Sequence, residues 1–268
     1  MRLLYATPAH QFPLGVATSL GRRLELLRHA GAAGTLILED DYDSEFRYSG
    51  RPIPALQGLD RDGRVLFAGS FSKVLFPSLR LGYLDVPEDL VDRFSALLSI
   101  TDRHAPLIEQ AILTDFIAAG HFGRHLRRMR QAYSERLTVL VESAEERLGP
   151  WLEVPRVDAG LQIAGWLAHG LVGADVAAAA RERAVEVLEL SRYARRPLAR
   201  EGLLLGFAAV GPRELRRGVD ELAKVLASAV SPAARNGPPK PADAGPTATP
   251  QASTARRRRD APTRGATP

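Results

Sequence analysis

The chain has 268 residues, 45% apolar and 25% charged, a composition that suits a globular protein with a buried core. It contains no cysteine, which removes disulfides, thiolate nucleophiles and cysteine-ligated metals, and no run of about eighteen apolar residues able to span a bilayer. The net charge of +5 resides in the tail: from Ser231 onward seven basic residues stand against two acidic ones, so the high pI does not belong to residues 1–230.

The N-terminal MRLLYATPAHQF holds too short an apolar stretch for a signal peptide, so a cytoplasmic location is expected. Residues 3–6 read as a short buried strand, followed by the turn-rich PAHQFPLG. A helix is predicted over 17–29, with leucines at 20, 24 and 27 and a stop at Gly31. TLILEDD reads as a buried parallel strand ending in acids, RVLFAGS as another, and LRLGYLDV as a third. From Pro87 the pattern turns helical: PEDLVDRFSALLSI, PLIEQAILTDFIAAG, and a long helix over 122–148 with Leu126, Met129, Tyr133, Leu137, Leu140 and Val141 at helical spacing.

A break at 149–150 opens a second unit, in which GLQIAGWL, VEVLEL and GLLLGFAAV are strand candidates around the helix VGADVAAAARER. The predicted fold class is α/β, with a parallel-rich sheet in a large domain over 1–149 and a small α/β domain over 150–230. Residues 231–268 have no aliphatic side chain larger than alanine and eight of the nineteen prolines, so disorder is expected there. The RRRR run within them could touch nucleic acid or an acidic partner; a solubilising extension is the simpler reading.

Lysine usage singles out one residue. Only three of the 36 basic side chains are lysines: Lys240 in the tail, Lys224 on the polar side of a C-terminal amphipathic helix, and Lys73 among apolar neighbours in LFAGSFSKVLFPSLRLGYL. An amine in a desolvated site is a nucleophile toward carbonyls. Ser70, Ser72 and Arg80 beside it offer the hydroxyls and guanidinium fork that suit a phosphate, at the end of a strand where open sheets bind ligands. The acids of EDDYDSEF after the preceding strand could hold a protonated pyridine nitrogen. A metal site is the rival for that cluster, but no histidine stands at ligand spacing near it.

Taken in order, TPAHQFPLG, ILEDDYDSEFRY, GSFSKVLFPSLRLGYL and GLLLGFA resemble the aminotransferase-type domain of the MocR/GabR/PdxR group of GntR-family regulators. The similarity covers nearly all of residues 1–228 and implies the fold-type-I architecture of pyridoxal-phosphate (PLP) enzymes. It implies a Schiff base to Lys73, Asp40 at the pyridine nitrogen, Tyr42 at the ring hydroxyl, and Arg80 with Ser70 and Ser72 on the phosphate. His10 and Gln11 occupy the loop that lines the ring in related enzymes, with Phe12 near the place of an asparagine.

The sequence departs from the pattern at several points. Domains of this kind start upstream of the TPAHQFPLG loop, with a Gly-rich turn, a stacking aromatic and further strands, and in the regulators a winged helix-turn-helix precedes these. Leu204 stands where ordinary aminotransferases carry the arginine that clamps a substrate carboxylate. Arg192, Arg195 and Arg196 in SRYARRP are the replacement candidates, with solvent exposure as the alternative, and Gln162 stands where the regulators often have a histidine. Two functions follow from the resemblance. One is transamination of an amino acid through Lys73; the other is an effector-sensing domain that binds PLP and an amino acid or amine with little turnover. Both imply a homodimer, no membrane, no metal, and DNA contact only through a domain absent from this sequence.

Overall fold

A computed structural model of the chain describes residues 2–103 and 106–229, so the tail expected to be disordered lies outside the described residues. In chain order the elements are β1 (Leu3–Ala6), α1 (Leu20–Ala33), β2 (Leu36–Asp41), α2 (Leu56–Leu59), β3 (Val65–Ser70), α3 (Phe71–Val74) and β4 (Gly82–Asp85). Three helices follow, α4 (Val91–Thr101), α5 (Leu107–Ala118) and α6 (His121–Arg147). The rest is β5 (Leu152–Glu153), β6 (Gln162–Leu167), α7 (Gly173–Glu182), β7 (Leu188–Glu189), β8 (Gly202–Gly206) and α8 (Pro212–Ala229).

The first sheet has the order β1-β2-β3-β4, with β1, β2 and β3 parallel and β4 antiparallel to β3. The apolar runs therefore became strands as expected, with two corrections. Residues 3–6 form a strand but not a buried one: Leu3 and Tyr5 are exposed and no β1 residue is buried, because only one face of β1 is covered by helices. LRLGYLDV is not a third buried parallel strand: its core, β4, runs antiparallel and is exposed throughout. The connection over residues 71–81 is too short for the crossover of about a dozen or more residues that a parallel return needs. Among the described residues β1 pairs only with β2, so its outer edge carries no strand.

Side chains alternate across this sheet. Leu4, Ala6, Ile37 and Val65 turn to one face, where Ala30, Leu26 and Leu27 of α1 and Leu56 of α2 cover them. The opposite face carries Leu3, Tyr5, Asp40 and Ser70 by register, and Leu3 and Tyr5 are 51% and 60% exposed. Helix α1 starts and stops later than its leucine spacing suggested. Ser19 caps it by accepting the Arg22 N–H at 3.4 Å, and Gly34 rather than Gly31 takes the left-handed conformation that ends it (φ 61°).

Two buried charges tie this layer together. Arg23, 1% exposed, donates to the carbonyls of Thr18 (2.9 Å), Pro54 (2.8 Å) and Pro8 (2.6 Å). Glu39, also 1% exposed, accepts the Leu56 and Gln57 N–H groups at the start of α2, each at 2.9 Å.

The second sheet has the order β5-β6-β8-β7 and is wholly antiparallel. VEVLEL shrinks to the two residues of β7, because the chain turns at once into a 3-10 turn at Leu190–Tyr193. Ile163, Leu203, Leu205 and Phe207 bury one side of the sheet against Leu137, Leu140 and Ala144 of α6 and Leu215, Val219, Leu222 and Leu226 of α8. Lys224 points out of that interface to Glu221 at 2.5 Å, as the amphipathic spacing required. By contrast α4 and α5 leave large side chains open, with Ile100, Leu107 and Ile108 more than 70% exposed. Among the described residues no helix is long and apolar enough to cross a membrane.

Candidate active site

The three parallel strands end on one side of the sheet, which brings the loops at 7–16, 42–53 and 71–81 to a common edge. Asp40 and Ser70 project from the same face there, because Asp40 is paired with Ala68 and side chains alternate. A residue the sequence did not flag joins them. Tyr5 of β1 donates its hydroxyl to Asp40 Oδ2 at 2.5 Å. That hydrogen bond, with burial and the charge of Asp40 adding to it, pushes the Tyr5 phenol up to about 12, so it stays a donor at neutral pH. The β1–β2 register puts Tyr5 on the Asp40 face; the apolar run alone carried no register.

Beyond β3 the chain turns through α3, where the Ser70 hydroxyl accepts the Ser72 N–H at 3.1 Å. Val74 is buried, and its carbonyl accepts the His125 Nε2–H of α6 at 2.8 Å, which anchors the turn. Lys73 sits on this turn and is exposed, not desolvated as its apolar neighbours in sequence suggested. The apolar side chain that points inward is Val74. Arg80 ends the 3-10 turn Pro77–Leu79 in the left-handed conformation (φ 51°) and is also exposed. Among the described residues neither head group makes a side-chain hydrogen bond or ion pair, so an amine, a guanidinium and two hydroxyls are available on one short loop.

His10 and Gln11, paired in the sequence reading, are separated by the structure. Gln11 is exposed and bridges to Val16, whereas His10 is 5% exposed with Nδ1 2.7 Å from Asp43 Oδ2. Tyr42 donates to the His10 carbonyl at 2.6 Å, and burial with the surrounding carboxylates raises its phenol well above the usual range. The His10 ring lies between Gly15 and Gly160: a Cβ on Gly160 would come within 2.3 Å of its Cε1, at φ 99°. Gly160→Ala should therefore lower stability by about 2–4 kcal/mol, combining overpacking with a disfavoured backbone, as read from urea melts.

Phe12 meets Tyr193 edge-on at 4.9 Å, which brings the SRYARRP segment against the HQFP loop. Arg192, Arg195 and Arg196 are all exposed on that segment. Leu204 is 4% exposed and packs with Ala164 and Leu190, so its place on β8 belongs to the apolar core. Gln162 is half-buried at the start of β6, paired with Gly206.

Behind the His10 loop lies a cavity of about 390 Å³ lined by His10, Arg23, Asp43, Glu45, Arg47 and Arg130 among others; Lys73, Asp40 and Arg80 are not on its wall. Burial holds the Glu39 and Glu45 carboxyls above the usual range, against the Leu56 and Gln57 N–H groups at Glu39 and against Arg130 at Glu45. A carboxyl raised in the folded state keeps its proton longer there than in the unfolded chain. Stability is then greatest below the ordinary carboxyl range and falls as pH rises toward the raised value. Glu45→Gln should flatten that fall in melting temperature as pH rises above the ordinary carboxyl range.

No protein-family model matches the sequence. Curated relatives do: the chain is 42% identical over 221 residues to the probable rhizopine catabolism regulatory protein MocR of Rhizobium meliloti, covering 82% of this chain and 45% of that protein. It is 36% identical over 229 residues to the helix-turn-helix-type transcriptional regulator YhdI of Bacillus subtilis, covering 85% of this chain and 49% of the relative. Over the matched stretch the chain is homologous to regulators of the MocR type. It spans about half the length of the curated relatives it matches, and the matched stretch is their aminotransferase-like part.

Solved structures match the fold of the chain. The multiple substrate aminotransferase of Thermococcus profundus superposes with a TM-score of 0.77 at 27% identity, over 85% of this chain and 57% of that one. The α-aminoadipate aminotransferase LysN of Thermus thermophilus, solved with N-(5'-phosphopyridoxyl)-L-leucine, gives 0.76 at 25% identity over 85% and 59%. The fold is that of the fold-type-I aminotransferases.

Proposed function

We propose that this chain supplies the Lys73 side of a PLP site in an aminotransferase-type domain, with residues 1–149 as the cofactor-binding part and 150–230 as the small domain. The observation that carries it is Asp40, gripped by Tyr5 on the open sheet face, beside the strand that runs into the loop of Ser70, Ser72, Lys73 and Arg80. The donor set fits the group: an unpaired amine for an aldehyde, a guanidinium and two hydroxyls for a phosphate, and a carboxylate for a ring nitrogen.

When bound, PLP supplies an aldehyde that condenses with amines and a pyridine ring that withdraws electrons. Asp40 holds a proton on the ring nitrogen, and Tyr5 fixes the orientation of that carboxylate. Tyr42 holds the ring hydroxyl; Arg80, Ser70 and Ser72 hold the phosphate; His10 and Gln11 shape the loop beside the ring. Lys73 Nζ is the base that moves the proton at the α-carbon of an amino acid, a role worth about 10²–10⁴-fold. Arg192, Arg195 and Arg196 are the candidates for the substrate carboxylate, since the buried Leu204 offers no charge.

A second reading has its own support. The relatives of 42% and 36% identity are a regulatory protein and a transcriptional regulator by name, and Leu204 removes a customary clamp. In that reading the site senses an amino acid or amine with little turnover, and DNA is contacted by a domain outside this chain. Two copies would pair in either case, with the exposed apolar residues of α4 and α5 as surface to bury.

The test is to load the chain with PLP, reduce with borohydride and map the peptides. The expected product is a cofactor mass on Lys73. Adding amino acids before reduction separates the readings: conversion of the cofactor to its amine form supports the enzyme, and binding without conversion supports the sensor.

A further inference from the structure

His10 is a buried titratable side chain to which the reading above gives no more than the shape of a loop. Its imidazole pairs through Nδ1 with Asp43 Oδ2 at 2.7 Å, and Asp43 is 2% exposed. The second oxygen of that carboxylate, Oδ1, is buried without a hydrogen-bond partner. A buried imidazole–carboxylate pair is a poor way to gain stability, because desolvation offsets most of its attraction. What such a pair does provide is fixed geometry, and the geometry here closes a ring of contacts. The His10 side chain holds Asp43, while the His10 carbonyl accepts the hydroxyl of Tyr42 at 2.6 Å. Residues 42 and 43 are thereby clasped to the HQFP loop from two sides.

The clasp is itself braced. The His10 ring fills the gap between Gly15 and Gly160, where a Cβ on either would press within 2.7 Å of it. Gly160 is fastened to the same segment: its N–H donates to the Phe46 carbonyl at 3.0 Å, and its carbonyl accepts the Tyr48 hydroxyl at 2.5 Å. The two glycines therefore let the backbone close on the His10 ring from two sides while it faces Asp43. We propose that His10 and Asp43 are positioning residues, which fix Tyr42, and with it the end of β2 that carries Asp40, for the cofactor. This rests on the assignment of Asp40 and Tyr42 to the PLP ring.

The test is a double-mutant cycle of Asp43→Leu and Tyr42→Phe in the full chain, read by PLP affinity and by the visible absorbance maximum of the bound cofactor. Each single variant should weaken PLP binding about tenfold, and the double variant also about tenfold, because both break one path. His10→Leu should reproduce Asp43→Leu. Asp43→Asn keeps an acceptor for the imidazole N–H, so it should bind PLP within about twofold of the parent chain and restore the absorbance maximum. Additive losses of about a hundredfold in the double variant, or an Asp43→Leu chain with unaltered affinity and spectrum, overturn the proposal. If Asp43→Leu does not fold, Asp43→Ser takes its place against Asp43→Asn, and equal behaviour of those two overturns it. Borohydride fixation separates the levels. Label on Lys73 with an additive cycle sinks the positioning role alone, whereas no label in the parent chain sinks the cofactor assignment and this proposal with it.

Discussion

Lys73→Ala should abolish covalent retention of PLP: after borohydride reduction no cofactor mass remains on the peptide spanning residues 71–80. Any amino-group transfer by the parent chain should fall by about 10²–10⁴-fold with it. The chain makes the experiment unusually clean, because Lys73, Lys224 and Lys240 are its only lysines and a label can be assigned without ambiguity. Lys224→Ala is the matched control, an exposed residue on α8 whose ammonium pairs with Glu221. Label that moves to Lys224 or Lys240, or that survives in Lys73→Ala, would remove the basis for the assignment. The exposure of Lys73 adds a second expectation: in the chain without PLP its amine should react readily with soluble aldehydes and acylating reagents.

Arg23→Ala carries the largest expected cost in stability. One side chain satisfies three backbone carbonyls from three segments, Pro8, Thr18 and Pro54, and it does so with almost no access to water. Truncation removes a charged donor from all three carbonyls, of which that of Pro8 keeps the Thr18 N–H at 2.9 Å, and strips the Glu39 carboxylate of a nearby positive charge. A loss of about 3–5 kcal/mol is expected in urea denaturation. Arg23→Lys should recover less than half of it, since an ammonium has no planar fork to reach three carbonyls at once. A loss below about 1 kcal/mol for Arg23→Ala would mean that the carbonyls find other donors.

The parts of this molecule that could be read from sequence are those encoded by local patterns. Apolar runs marked β1, β2, β3, β6 and β8, and the spacing of Leu215, Val219, Leu222 and Leu226 marked the buried stripe of α8. The direction of β4 did not show in its apolar pattern, which cannot tell parallel from antiparallel strands; the short connection over residues 71–81 was the signal in the sequence that decides it. The contacts between distant residues were not legible. Tyr5 and Asp40 meet through a strand register, and His10 and Asp43 through packing between glycines; neither pair leaves a spacing signal. The site residues that local motif did mark, Ser70, Ser72, Lys73 and Arg80, fall on one loop, though the lysine proved open to solvent where its neighbours suggested a dry pocket.

The outer margin of β1, which carries no strand among the described residues, has a consequence for handling this stretch of chain by itself. Amide groups along an extended segment that lacks a neighbour will accept any strand of suitable length, whatever its side chains. Concentrated preparations of residues 1–268 alone therefore carry a route to ordered self-assembly that owes nothing to the chemistry at Lys73. A covering peptide, or a proline introduced on that margin, is the direct means of closing it.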